Sequence, residues 1–294
     1  MLLSPYRIKE NFEFKPSAAQ KSISAGRLTK LFKNGQIGER SEAIIHFLYE
    51  LQFLSGHLIQ TCFHHPKVAP GLKKLRNDKK NPYHPEIQFL LNMGIVRQYE
   101  IISPYGSSIS YVYGLTEGAS AWSKERFYND EIFVSFFNPE IEEKQNIPSY
   151  EKLLSLLSLN QFIISFQVNN WNNIADAKID FKSPSAHFTS ATGKILPVGS
   201  IRRFSLAKIE LTDYMNHFYS GERGDPEIII LIVESMEAAA DIHRNLLACK
   251  WPKYGNILYS RDYSSINLKN PLYGALGRFR DDLAMTFDLC TIEL

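Results

Sequence analysis

The chain of 294 residues has only three cysteines, Cys62, Cys249 and Cys290, widely spaced and odd in number. That speaks against a disulfide framework and against a repeated Cys-x-x-Cys metal site, and reduced thiols suit the cytoplasm. Long apolar runs are scarce as well. The most apolar stretch, Ile228 to Val233, is six residues long, where a bilayer-spanning helix needs about 20, so no membrane contact is expected. The opening residues, Met1-Leu2-Leu3-Ser4-Pro5-Tyr6-Arg7-Ile8-Lys9-Glu10, lack a basic stretch followed by an apolar run, so no secretory signal or transit peptide is expected. There is no Gly-rich phosphate loop and no Gly-x-Ser-x-Gly elbow. The fifteen tyrosines have no companion cluster of histidines of the kind that supports a tyrosine nucleophile, and His243 stands alone. Internal repeats and low-complexity segments are lacking too.

What is present is an ordinary globular composition, 44% hydrophobic and 22% charged, in a length that suits two domains. The net charge of +2 implies no partner, but its distribution is uneven. Residues 15–128 hold 15 Lys/Arg against 8 Asp/Glu, +7, whereas residues 129–294 hold 16 against 21, −5. Residues 1–25, broken by Pro5 and Pro16, read as an arm. Phe136 to Pro148, with two prolines and an acidic run, reads as a linker. The expected domains are therefore 26–135 and 149–294.

In the front half, Ser41 is the expected cap of a helix whose apolar face is Ile44, Ile45, Phe47, Leu48, Leu51 and Leu54. His57 to Phe63 predicts a second helix. Lys73, Lys74, Arg76, Lys79 and Lys80 put five basic residues within eight positions. A further helix is expected from Pro85 to Met93, with Pro85 in its first turn and Gly94 as its stop. The period then shortens. Ile95 to Ile102 and Ile109 to Leu115, around Pro104-Tyr105-Gly106-Ser107-Ser108, predict a hairpin. Helices followed by a two-stranded wing is the winged-helix order, carried by Leu90-Leu91-Asn92-Met93-Gly94-Ile95-Val96 and Leu115-Thr116-Glu117-Gly118. The expected partner is double-stranded DNA. Lys73, Lys74, Arg76, Lys79 and Lys80 would meet phosphates, Tyr83, His84 and Gln88 the groove, and Ser107 and Ser108 the backbone or minor groove from the wing tip. Cys62, His57, His64, His65 and His84 lack zinc-finger spacing, so neither a metal nor any other cofactor is expected.

The back half alternates helices and strands. A helix is expected from Ser149 toward Phe166, strands at Ala177–Phe181, Lys194–Val198 and Glu227–Val233, helices at Ser205–Tyr219 and Ser235–Leu247, and a last strand at Gly255–Ser260. The apolar Ile228–Val233 run predicts a strand buried on both faces. Taken together, the expected fold class is α+β in front and α/β behind.

Leu115-Thr116-Glu117-Gly118, Ala177-Lys178-Ile179-Asp180 and Ser205 to Tyr214, followed by the Ile228–Val233 strand, resemble the plasmid replication-relaxation family across about residues 27–275. That resemblance implies an N-terminal winged helix joined to a restriction-endonuclease-like domain, and a role at plasmids or other mobile elements, in replication, relaxation or transfer. A nuclease of that fold needs an Asp on one strand and an acidic-x-Lys triplet on the next, to hold Mg²⁺ and position water. Asp180 could supply the first. The next strand offers only Pro197 and Gly199 at the acidic positions, and if Phe204–Leu211 were a strand instead, Lys208-Ile209-Glu210 runs in the reverse order. The domain is therefore read as degenerate, without catalytic residues, and as a surface for a protein partner or self-association. The rival readings are a Mg²⁺-dependent nuclease using Asp180 and Glu210, and a winged-helix transcriptional regulator.

Overall fold

The computed structural model describes residues 12–17, 21–73, 84–105, 108–128, 130, 132, 148–181, 183–202, 208–218, 226–251, 254–261, 271–272, 276–279 and 287–292. Among them are eight α-helices and eleven strands in two sheets, a mixed α+β architecture. Contacts group residues 9–133 into one compact unit and 151–294 into another. No helix among the described residues is long and apolar enough to cross a membrane.

The first unit is built around α2 (Glu39–Leu51), which runs buried from Ala43 to Leu51 because α3, α4, α5 and β4 all pack on it. The expected cap at Ser41 is corrected. Gly38, extended at φ −76° and ψ 159°, precedes the helix, and Ser41 lies buried inside it. Glu39 and Glu42 occupy the first turn, where the positive end of the helix dipole favours carboxylates. The helix ends abruptly at Gln52, φ 60° and ψ −63°, with Phe53 N–H donating to Leu51 O at 2.7 Å. This is a γ-turn of the rare, strained hand. It feeds directly into the two-residue β2 (Leu54–Ser55), and Ser55 caps α3 (Gly56–Cys62) by accepting from Leu58 N–H.

After a 3-10 turn at Pro70–Lys73, α4 (His84–Asn92) leads into β3 (Val96–Ile102) and β4 (Ser108–Leu115). Gly94, φ +71°, stops α4, and Ile95 N–H reaches back to Leu90 O at 2.9 Å, the usual closure of a helix by a left-handed glycine. β2 pairs antiparallel with β4, so the sheet order is β1-β3-β4-β2. The outermost strand, β1 (Glu13–Pro16), lies within the 1–25 arm. It pairs with β3 from Glu13↔Ile102 to Pro16↔Tyr99, and Phe14 stacks on Tyr99 at 5.2 Å. An edge strand tolerates the terminal proline. The sequence pattern also gave no warning of α1 (Ala25–Lys33), capped by Ser24 and packed on α5 (Glu117–Arg126).

The two sequence signatures meet in space. Thr116 Oγ1 donates to Gly94 O at 2.8 Å and lies within bonding reach of Ile95 O, while Ile23 N–H donates to the same Gly94 O at 2.9 Å. The chain at 21–24 passes so close that a Cβ on Gly118 would stand 1.9 Å from Ile23 O, and one on Gly94 2.5 Å from Lys21 O. Both glycines are therefore required by close backbone approach.

The second unit is a seven-stranded sheet in the order β11-β10-β9-β8-β7-β6-β5. The long α6 (Tyr150–Asn170) leads into β5 (Ile174–Asp180), β6 (Ser185–Ser190) and β7 (Ile195–Ser200), an antiparallel meander. α7 (Lys208–His217) crosses over to β8 (Ile229–Val233), which runs parallel to β7, and α8 (Met236–Ala248) crosses to β9 (Ile257–Arg261), parallel again. β10 (Leu276–Phe279) and β11 (Phe287–Cys290) then add antiparallel. Leu211 and Met215 of α7, Phe218 just past it, and Ala238, Ala239, Ile242 and Leu246 of α8 pack on Ile229, Leu231, Val233, Ile257 and Tyr259. On the other face, Phe166 of α6 meets Phe188 at 4.6 Å, and Ser158 hydrogen-bonds Ser200 at 2.6 Å. The central strand β8 is buried at every residue, as a strand covered on both faces must be. Three strands were not anticipated. β6 reads Ser-Ala-His-Phe-Thr-Ser, polar at alternate positions, and β10 and β11 are four residues each, too short for periodicity to register.

Candidate nucleic-acid interface

The first unit presents α4 and the β3–β4 hairpin outward. Ile87 and Leu90 of α4 are buried, while Pro85, Gln88 and Asn92 form its exposed stripe. Gln88 Nε2 donates to Asn92 Oδ1 at 2.9 Å, a pairing that the i, i+4 spacing allows. The helix is held from behind by Arg40 at the start of α2. Its Nε lies 3.1 Å from Glu86 Oε1, its Nη1 donates to Leu72 O at 2.9 Å, and its guanidinium lies over the Phe63 ring at 4.9 Å. With both side chains about three-quarters buried, this pair fixes α4 and the 63–72 segment on one anchor. At the hairpin end, Tyr105 is 96% exposed, and Tyr111 on β4 is exposed too.

Of the DNA contacts expected from sequence, Lys73 ends the 3-10 turn, His84 opens α4, Gln88 sits on its outer stripe and Ser108 opens β4. Lys74, Arg76, Lys79, Lys80, Tyr83 and Ser107 lie outside the described residues. Sequence reasoning passed over Asn92, Tyr105 and the exposed basic residues of α1, Arg27, Lys30 and Lys33, a helix with no acidic residue. The i, i+3, i+6 spacing of those three cations was the available signal.

Cys62 and His65 are buried, and His65 Nδ1 accepts from Lys67 N–H at 3.3 Å. Burial, with a smaller contribution from the charge of Glu50, pushes the Cys62 thiol well above its usual range. Such a thiol is a poor metal ligand, since binding needs the thiolate. Among the described residues no group of three or more His, Cys, Asp or Glu is placed to hold a metal ion.

Behind α2 lies a second buried polar cluster. His46 Nε2 is 3.0 Å from Glu50 Oε1, both side chains being almost wholly buried, and the His46 ring stacks on Phe127 at 4.0 Å. The same Glu50 oxygen accepts from Ile132 N–H at 2.7 Å. The carboxylate thus ties the chain leaving α5 back onto α2.

In the second unit, β5, β6 and β7 lie in register so that Asp180, Ser185 and Gly199 form one row across the sheet. Tyr214 of α7 covers that row. Its hydroxyl donates to Pro184 O and accepts from Ser200 N–H, both at 3.0 Å. Enclosure of the phenol pushes its pKa far up. A Cβ on Gly199 would stand 2.4 Å from the Tyr214 hydroxyl and 2.7 Å from the Phe218 ring. Asp180 turns aside, with one oxygen accepting from Ser183 N–H at 3.3 Å and the other 3.4 Å from His217 Nε2. Glu210 lies in the first turn of α7 rather than on a strand, so the alternative strand at Phe204–Leu211 is corrected for its last four residues. The row holds one carboxylate, engaged by its own turn, and Tyr214 lies over it.

No family model, curated protein or solved structure matches this chain.

Proposed function

We propose that this chain is a sequence-specific double-stranded DNA-binding protein without catalysis of its own, acting as an accessory factor in the replication, relaxation or transfer of a plasmid or other mobile element. The observation that carries the DNA-binding part is the pairing of β2, inserted between α2 and α3, with the far strand of the β3–β4 hairpin that follows α4. Helix, short strand, helix, helix, hairpin with that pairing is the winged-helix order. It leaves α4 free to lie in a major groove and the hairpin free to reach the flanking backbone. The +7 charge of residues 15–128 supports a phosphate-facing surface. The plasmid role rests on the sequence resemblance.

The second unit supports a non-catalytic partner domain. Its helix, three-strand meander, helix and parallel strand follow the order of restriction-endonuclease-like folds, while Ser185, Gly199 and Tyr214 stand where paired carboxylates would bind Mg²⁺. Its surplus of acid, −5 over residues 129–294, suits contact with protein rather than DNA.

Binding of the full chain to fluorescent duplex DNA at two salt concentrations tests the proposal. Affinity should fall steeply with salt, and Lys73→Ala with Lys74→Ala should weaken it and flatten the salt dependence. No binding at low salt would overturn the reading. Incubation with supercoiled plasmid and Mg²⁺ or Mn²⁺ should give no nicking, and nicking abolished by Asp180→Ala would establish a nuclease instead.

A further inference from the structure

α4 has no lysine or arginine, and its one acidic residue, Glu86, is held by Arg40. The polar groups described on its outer stripe are two amides, Gln88 and Asn92, already joined to each other. Guanine is read in the major groove chiefly by Arg or Lys donating to O6 and N7. Adenine is read by an Asn or Gln amide that accepts from N6–H and donates to N7. The Gln88–Asn92 bond uses one hydrogen of Gln88 Nε2. The second hydrogen and the Oε1 acceptor remain for a base, and they are the two groups an adenine edge requires.

We propose that Gln88 is the base-reading residue of this protein and that it selects adenine, with Asn92 as a positioning residue that fixes the plane of the Gln88 amide. This inference rests on the DNA-binding reading above and adds to it a base preference and a division of roles. Fixing the amide in advance matters because a free glutamine side chain loses rotamer freedom when it binds. Here part of that loss is taken in the folded protein, before DNA arrives. Phosphate contacts lie elsewhere, so affinity and base choice reside on separate residues.

The test is selection of bound duplexes from a randomised pool by the full chain, followed by sequencing, with affinity for a fixed unrelated duplex measured in parallel. The wild-type protein should enrich an adenine at one fixed position, by roughly five- to a hundredfold over the other bases. Gln88→Ala should lose that preference, and its affinity for the selected site should fall far more than its affinity for the unrelated duplex. Gln88→Arg should move the preference to guanine at the same position. Asn92→Ala should weaken the preference, and Asn92→Asp, which keeps the acceptor, should retain more of it. Each side chain is exposed, so the variants should fold, which circular dichroism checks. Pools enriched equally by the wild-type protein and Gln88→Ala would overturn the inference and leave DNA binding standing. Absence of any DNA binding at low salt would overturn both.

Discussion

Gly118 and Gly26 both sit in the first turn of a helix, yet replacing each by alanine should move stability in opposite directions. Helix propensity alone favours alanine over glycine by about 1 kcal/mol in either case. At Gly26 nothing lies within 4 Å of an added Cβ, so that gain should appear, reduced by the position near the helix end. At Gly118 the same atom would stand 1.9 Å from Ile23 O and 3.0 Å from Ile23 C. A carbon and a carbonyl oxygen cannot approach much below about 3.3 Å, so the chain at 21–24 would have to retreat by more than an ångström. The obstacle is backbone and has no rotamer to escape into. Retreat would break the 2.9 Å bond from Ile23 N–H to Gly94 O, worth about 1 kcal/mol, and would expose part of the buried Ile23 side chain, worth about 1.5–3 kcal/mol in full. The expected balance is a loss of about 2–3 kcal/mol for Gly118→Ala against a gain of some tenths for Gly26→Ala. Urea unfolding of the full chain, with hydrogen exchange of peptides from residues 21–126 to isolate the first unit, measures both. A Gly118→Ala protein as stable as the wild type would refute the claim that the sequence pair Met93-Gly94 and Glu117-Gly118 is there to admit the 21–24 segment.

Other expectations follow from single sites. Lys250 stands at φ 53° just past α8, where its own N–H and that of Trp251 close the helix end; Lys250→Gly should raise stability by about 1 kcal/mol in thermal unfolding. Glu50→Ala removes the carboxylate beside His46 and leaves the Ile132 N–H without its acceptor, and should cost about 1–3 kcal/mol, whereas Glu50→Gln keeps an oxygen and should cost less; equal losses would argue against the bond to Ile132. The Cys62 thiol and the phenols of Tyr99, Tyr113, Tyr214 and Tyr259 are all raised, by burial first. A raised pKa makes the unfolded chain the better acid. The stabilisation is therefore complete below the unfolded values, about 8.5 for Cys and about 10 for Tyr, and is lost above them. Denaturant midpoints should hold steady to about pH 8.5 and then fall, and Cys62 should react with thiol reagents more slowly than Cys249 or Cys290.

The elements that could be read from the sequence were those whose signal is local. Ser235 does cap a helix, Gly94 does stop α4, and the run at Ile228–Val233 holds the buried strand β8, because capping oxygens, left-handed glycines and unbroken apolar strands depend on a few neighbouring residues. What was hidden depends on residues far away in the chain. Glu13–Pro16 becomes a strand only because β3 offers an edge. Ser185–Ser190 looks like a polar loop, but Phe188 packs on Phe166 of α6 while His187 sits beside His217 of α7. The amide pair of α4 was half legible. Gln88 stood out as a polar residue beside an apolar stripe, but Asn92 gains meaning only through the 2.9 Å bond between them. Likewise the sequence registers that Gly199 cannot bind a metal, and only the packing gives the reason.

That reason bears on how the second unit could have come to lack nuclease chemistry, on the reading proposed above. A missing carboxylate by itself is one substitution away from recovery. Here the Tyr214 hydroxyl holds Pro184 O and Ser200 N–H together across the start of β6 and the end of β7, and its ring and that of Phe218 occupy the volume above Gly199. An acidic side chain at 199 would have to displace the phenol from Pro184 O and Ser200 N–H, leaving the direct bond from Ser200 N–H to Pro184 O in place, while Asp180 would have to leave both Ser183 and His217. The aromatic lid and the glycine beneath it are packed together, so a side chain at 199 needs the Tyr214 and Phe218 rings to move. On that reading the volume above the row is filled by the Tyr214 and Phe218 rings, and Gly199 is the residue that admits them.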